Sequence, residues 1–91
     1  MTINELAEKL LDNSWDEDII LLDNYDYADA CIGISHDGRA VYDYNKMIAW
    51  LIEHEEVDNV LEAIEWIDYN TIRALPYMGE KHPIIMYKLE D

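Results

Sequence analysis

Phenylalanine is absent from this chain, cysteine occurs once, proline twice and glycine three times, and only six bases stand against 21 acids. Each shortage excludes something. A single cysteine, Cys31, cannot form an internal disulfide, and the first residues do not combine a basic region with a long apolar stretch, so a cytoplasmic protein is expected. No apolar run comes near the roughly 20 residues that cross a bilayer, and so acidic a surface is repelled by anionic lipids, which excludes a membrane partner. The shortage of lysine and arginine likewise excludes direct nucleic-acid binding, which needs bases to neutralise phosphates. Without phenylalanine, the aromatic content comes from three Trp and seven Tyr, whose polar handles suit half-wet surfaces.

The acids are concentrated. The 29 residues from Leu10 to Gly38 carry eight carboxylates (Asp12, Asp16, Glu17, Asp18, Asp23, Asp26, Asp29, Asp37) and no lysine or arginine. A second stretch, Met47 to Ile72, carries seven more (Glu53, Glu55, Glu56, Asp58, Glu62, Glu65, Asp68), again with neither base. These two stretches account for the net charge of −15, since the remainder is neutral. Charge at that density repels itself and lowers stability, so a basic partner or a solubility requirement has to justify it. A hydrophobic fraction of 51% argues against disorder, and residues 1–91 are expected to fold as one domain that buries about two thirds of its unfolded surface.

Local patterns predict the element order α-β-β-β-α-α-β, an α+β fold with a small antiparallel or mixed sheet of three to four strands and about three helices on one face. Thr2 and Glu5 form a capping box ahead of Ile3, Leu6, Ala7, Leu10 and Leu11, which predicts a first helix to about Asp12. Ile19 to Asp23 reads as a short strand and Ala30 to Ser35 as another, joined through Asp37-Gly38 to Arg39–Tyr42 as a hairpin. Tyr44 to about Glu55 is expected to be helical with Tyr44, Met47, Ile48, Leu51 and Ile52 inward. Val57 to about Ala74 follows with Val57, Val60, Leu61, Ile64 and Ile67 inward, and Pro76 stops it. Gly79 to Pro83 turns the chain into a last strand, Ile84 to Leu89.

Two constellations are candidates for binding a partner. On the third helix, Glu55, Asp58, Glu62 and Glu65 project to one side with Trp66 and Tyr69 beside them and no base between. Neighbours on such a stripe stand about 5 to 6 Å apart, and like charges there destabilise a helix by a few tenths of a kcal/mol per pair. A solvated face accounts for the acids, but large aromatics are what a binding surface favours. In the second constellation, an extended Asp23–Asp29 segment points Asp23, Tyr25, Tyr27 and Asp29 one way, with Asp26 on the other side. The result is a ladder of oxygens at about 6.6 to 6.8 Å, which a phosphate-binding groove of lysines and arginines would accept. A polar loop whose Asp and Asn residues cap turns explains the same string.

Catalytic and metal-binding patterns are weak. Asp23, Asp26 and Asp29 lack the alternate-residue spacing and the glycine of a calcium loop, and His36, His54 and His82 have no paired spacing for zinc. Cys31 fits a core position better than a nucleophile. Asp68, Arg73 and His82 could gather near the end of the third helix, but Asp68 projects towards the core stripe and an ion pair with Arg73 explains the same residues equally well. No catalytic residue, metal ligand or cofactor is implied.

Two strings carry a resemblance. Asp37-Gly38-Arg39-Ala40-Val41-Tyr42-Asp43-Tyr44 is the first, and the second is Trp66-Ile67-Asp68-Tyr69-Asn70-Thr71-Ile72-Arg73-Ala74-Leu75-Pro76-Tyr77, running on to Pro83-Ile84-Ile85-Met86-Tyr87. From Asp37 to Tyr87 the chain resembles an uncharacterised family of small bacterial proteins, often of phage-derived or mobile regions. That resemblance implies a setting in which inhibitors of host defence are common and fixes no catalytic residue. In size and acidity, without a shared motif, the chain is also similar to DNA-mimic inhibitors such as some anti-CRISPR and anti-restriction proteins and the uracil-DNA glycosylase inhibitor. The first expectation is therefore a non-enzymatic inhibitor that presents acids and aromatics to a basic nucleic-acid-binding protein or complex of the host. An acidic immunity-type or regulatory module that does not compete with nucleic acid is the alternative, and a housekeeping domain kept soluble by its acids is a third.

Overall fold

Six regular elements and two 3₁₀ segments make up the computed structural model, which describes residues 2–15, 19–22 and 27–89. Helix α1 (Ile3–Asp12) begins where the capping box places it: the Glu5 N–H donates to Thr2 Oγ1 at 3.1 Å and the Thr2 N–H donates to Glu5 Oε1 at 3.3 Å. Leu6 is its one buried residue, and Leu11 is exposed. The helix ends in a Schellman motif. Ser14 takes a positive φ of 67°, its N–H donates to Leu11 O at 3.0 Å, and the Trp15 N–H donates to Leu10 O at 2.9 Å.

Residues 19–22 are not a strand, although Ile19–Asp23 is expected to be one; Asp23 itself lies outside the described residues. Leu22 is buried, Ile19 and Leu21 pack on the core, and the Leu22 N–H donates to the Tyr42 hydroxyl at 3.1 Å. The apolar run thus follows from burial, while the Leu22 N–H is satisfied by a side chain and not by a ladder.

Strands β1 (Cys31–Ile34) and β2 (Ala40–Asp43) form the expected antiparallel hairpin, with an irregular register between Cys31 and Gly33. The turn is closed by Ser35 N–H to Arg39 O at 2.8 Å, and Gly38 supplies a φ of 83° that a β-carbon would oppose. Asp43 ends β2 and caps helix α2 (Tyr44–Glu53), accepting from the Asn45 and Lys46 N–H groups at 2.9 and 3.3 Å. Helix α3 (Val60–Asn70) and a 3₁₀ segment (Ile72–Met78) lead to strand β3 (Ile84–Met86), which pairs parallel to β2 and completes a mixed three-stranded sheet in the order β1-β2-β3. The fold is α+β, as expected.

Arg39 locks the return of β3. Its Nε donates to His82 O at 2.7 Å, its Nη2 lies 3.1 Å from His82 Nδ1, and Lys81 Nζ donates to the Asp37 carbonyl from the same turn. The core lies among the sheet, α2 and α3, with Tyr27, Tyr42, Met47, Leu51 and Ile67 fully buried.

The second and third helices differ from expectation at their junction. Helix α2 stops at Glu53 because Glu55 adopts a φ of 56° and a second Schellman motif forms, with the Glu55 N–H donating to Ile52 O and the Glu56 N–H to Leu51 O. Helix α3 starts at Val60, not Val57, because Asn59 caps it by accepting from the Glu62 N–H at 2.9 Å. Its inward residues are Ala63 and Ile67, with Ile64 and Trp66 half-buried; Val60 and Leu61, expected inward, are 53% and 66% exposed. The inward side runs through Ala63 and Ile67, and at 100° per residue Leu61 lies about 160° from Ala63, facing outwards. Pro76 does not terminate an α-helix, which has already ended at Asn70; it lies inside the 3₁₀ segment.

Candidate acidic and aromatic binding face

Four of the sequence-predicted residues, Glu62, Glu65, Trp66 and Tyr69, line one shallow concavity of about 430 Å³ together with Glu56, Val57 and Asn70. Helical spacing explains the grouping: Glu62, Glu65, Trp66 and Tyr69 recur every three or four residues and so share one side of α3. Glu65 and Tyr69 are exposed, Tyr69 by 66%. Trp66 is only half-buried on this side because its other edge packs against the core. It therefore serves both as part of the face and as part of its foundation.

Glu62 has a structural duty as well. Its Oε2 accepts from the Asp58 N–H at 3.0 Å while its own N–H is taken by Asn59, so it completes the N-terminal cap of α3, where the helix dipole favours a carboxylate. Glu65 has no such duty and is the cleaner probe of the face. Arg73, beyond the end of α3, places its guanidinium 5.0 Å from the Tyr69 ring centre, a cation–π distance. The face is thus acidic in balance but not free of bases in space, as a helical projection of residues 55–69 alone implies.

Glu55 and Asp58 do not belong to the helical stripe. Both lie in the connection between α2 and α3, where the left-handed Glu55 breaks the helical phase that would have aligned them with Glu62. Glu56 and Val57, which do line the concavity, come from that same connection. Their place follows from the second Schellman motif, a signal that glycine usually gives and that glutamate conceals here.

The oxygen ladder of Asp23–Asp29 is not extended where it can be followed. Asp23, Tyr25 and Asp26 lie outside the described residues, while Tyr27–Ala30 form a 3₁₀ turn. Tyr27 is fully buried, edge-on to Trp50 at 5.5 Å between ring centres, and Asp29 is exposed on the other side. Tyr27 is a core residue because its ring fills space beneath α2, so it cannot present an oxygen to a partner.

Other chemistry-bearing groups are dispersed. Asp68 is exposed and accepts from the Tyr44 hydroxyl at 3.5 Å, Arg73 lies over Tyr69, and His82 joins Arg39, so the Asp68, Arg73 and His82 cluster does not form. Burial among apolar neighbours pushes the Cys31 thiol above its ordinary value, which keeps it protonated. The Ser35 hydroxyl, with Arg39 and Lys81 nearby, holds Asp37 below the usual carboxylate range. Burial and the neighbouring Asp68 push the Tyr44 phenol up. Among the described residues no three His, Cys, Asp or Glu side chains gather as a metal would need, and no helix is long and apolar enough to cross a membrane.

Comparison with protein-family models, with curated proteins and with solved structures returned no match.

Proposed function

We propose that the protein is a non-enzymatic, intracellular inhibitor that occupies a basic nucleic-acid-binding groove of a host protein, with the α3 face standing in for phosphates and bases. The observation that carries this is the grouping of Glu56, Glu62 and Glu65 with the exposed Tyr69 around one concavity, on a chain with a net charge of −15. Carboxylates accept from lysine and arginine as phosphates do, and an exposed ring offers the stacking surface that a base would. Opposite charge speeds association and rejects wrong partners. The immobilised protein is expected to retain basic nucleic-acid-binding proteins from a bacterial lysate, and added DNA duplex is expected to release them.

Val60 and Leu61 favour a second mode of recognition. Two exposed aliphatic side chains at the start of the acidic helix suit an immunity-type or regulatory module that anchors on an apolar patch and uses charge only for steering. In that mode the captured protein stays bound in saturating duplex and is released by Leu61→Asp.

A further inference from the structure

Among the described residues, strand β1 is an edge of the sheet, hydrogen-bonded on one side to β2. Its outer side borders a groove of about 300 Å³ that separates it from α1. Leu6 and Leu10 form one wall, and every residue of β1 from Cys31 to Ile34 contributes to the other. The groove touches all four residues of β1 in a row, and so runs along the whole length of the strand. The end of the groove is fixed by Trp15, which the Schellman motif of α1 sets beside Leu10.

Exposed edges are ordinarily blunted by lysine, proline or a covering helix. Cys31-Ile32-Gly33-Ile34 contains neither residue, α1 stands off by the width of the groove, and Ile32 is 45% exposed. The irregular register beside Cys31 leaves Gly33 and Ile34 paired with Val41 and Ala40. Gly33 supplies an independent observation. Its φ lies outside the left-handed region and a β-carbon there would meet nothing within 4 Å, so nothing among the described residues requires glycine. Glycine weakens a strand, and one of its uses there is to admit the close approach of another backbone.

We propose that the groove between α1 and β1 binds an extended peptide segment of a partner protein, apolar at alternate positions and flanked by lysine or arginine, which joins β1 as an added strand. Main-chain hydrogen bonds to β1 supply register, and the wall of Leu6, Leu10 and Trp15 receives every second side chain. Charge selects the occupant. Among the described residues, one base, Lys9, and one acid, Asp29, line the groove, so the field of the whole chain decides, and at −15 it attracts a basic segment and repels a second copy. This surface is separate from the α3 face, and either proposal stands without the other.

The probe is a fluorescein-labelled synthetic peptide of about ten residues, alternating valine and threonine between lysine pairs, long enough for one strand. Saturable binding below about 1 mM is expected, with amide shifts confined to residues 31–34 and Trp15, and slowed exchange of β1 amides. Gly33→Val is expected to weaken binding at least about tenfold while the melting temperature holds or rises, since a β-branched residue suits a strand. Ile32→Lys, at an exposed position, is the second variant and loses binding by like charge. A probe with central proline, which lacks a ladder donor, binds at least about tenfold more weakly. Equal affinity for the proline probe, undiminished binding by Gly33→Val or Ile32→Lys, shifts mapping to α3, or no saturation up to about 1 mM each overturn the proposal. A wild-type dimer in sedimentation that Gly33→Val dissociates also overturns it, by giving the groove to a second copy.

Discussion

Replacing Glu55 with glycine should stabilise the protein, although it deletes a side chain. Glu55 occupies the left-handed position after α2 at a φ of 56°, held there by its own N–H to Ile52 O at 3.1 Å and by the Glu56 N–H to Leu51 O at 3.0 Å. An L-residue with a β-carbon is disfavoured in that conformation by about 1–2 kcal/mol, which is why glycine is usual at this place. Glycine returns about 0.5–1 kcal/mol of that through the greater freedom of its unfolded chain, leaving a net gain of about 0.5–1 kcal/mol. The loss of a carboxylate near Glu53, Glu56 and Asp58 adds to the gain, so Glu55→Ala serves as the control: it removes the same charge and keeps the β-carbon strain. In urea, with a slope of about 1–2 kcal/mol per molar for a domain of this size, the Gly variant should unfold roughly half a molar later than the Ala variant. Equal midpoints for the two would refute the left-handed turn, and with it the break that takes Glu55 and Asp58 off the stripe of α3.

Three further outcomes follow from the packing and charge. Ile67→Ala empties a fully buried position beside Leu51 and Ala63 and should cost about 2–5 kcal/mol in denaturant unfolding, whereas a loss below about 1 kcal/mol would mean that α3 presents another face to the core. Raising ionic strength from about 0.01 to 0.15 M shortens the Debye length from about 30 to 8 Å and should raise the melting temperature by screening fifteen excess charges; a fall would show attractive pairs outweighing repulsion. Because the Tyr44 phenol is pushed above its ordinary value of 10.0, its contribution is complete below that pH and is lost as pH rises through the folded value. Wild-type stability should therefore fall more steeply in alkali than that of Tyr44→Phe, as followed by urea melts at stepped pH, and parallel curves would contradict it.

Legibility in the sequence tracked how local the governing interaction is. The start of α1 and the β1–β2 hairpin were legible because Thr2 with Glu5, and Asp37 with Gly38, act within a few residues. Helix α2 was legible through Tyr44, Met47 and Leu51, whose spacing matches their burial. What failed depended on partners distant in the chain. An apolar run at 19–22 looks like a strand until Tyr42 takes the Leu22 N–H, twenty residues away. The acidic stripe seemed continuous from Glu55 because a left-handed glutamate leaves no mark comparable to glycine. Val60 and Leu61 suited the core by helical spacing, but the buried side of α3 runs through Ala63 and Ile67. For the candidate face, Glu62, Glu65, Trp66 and Tyr69 were legible together because one helix carries all four, while Glu56, Val57 and the Arg73 contact depend on how the chain bends before and after α3.

The central claim is that the α3 face takes the place of nucleic acid, and Glu65→Lys tests it most directly, since Glu65 lies in the concavity, is exposed and has no part in the cap of α3. The measurement is competition between the protein and a labelled DNA duplex for a purified basic protein recovered by capture, at two salt concentrations. The wild-type protein should displace the duplex, less effectively as salt rises. Glu65→Lys, with an unchanged circular dichroism spectrum, should displace it at least about tenfold less well, by setting like charge against the basic groove. Undiminished displacement by Glu65→Lys would remove this face from the interface, and a ternary complex of both proteins with duplex would contradict mimicry itself.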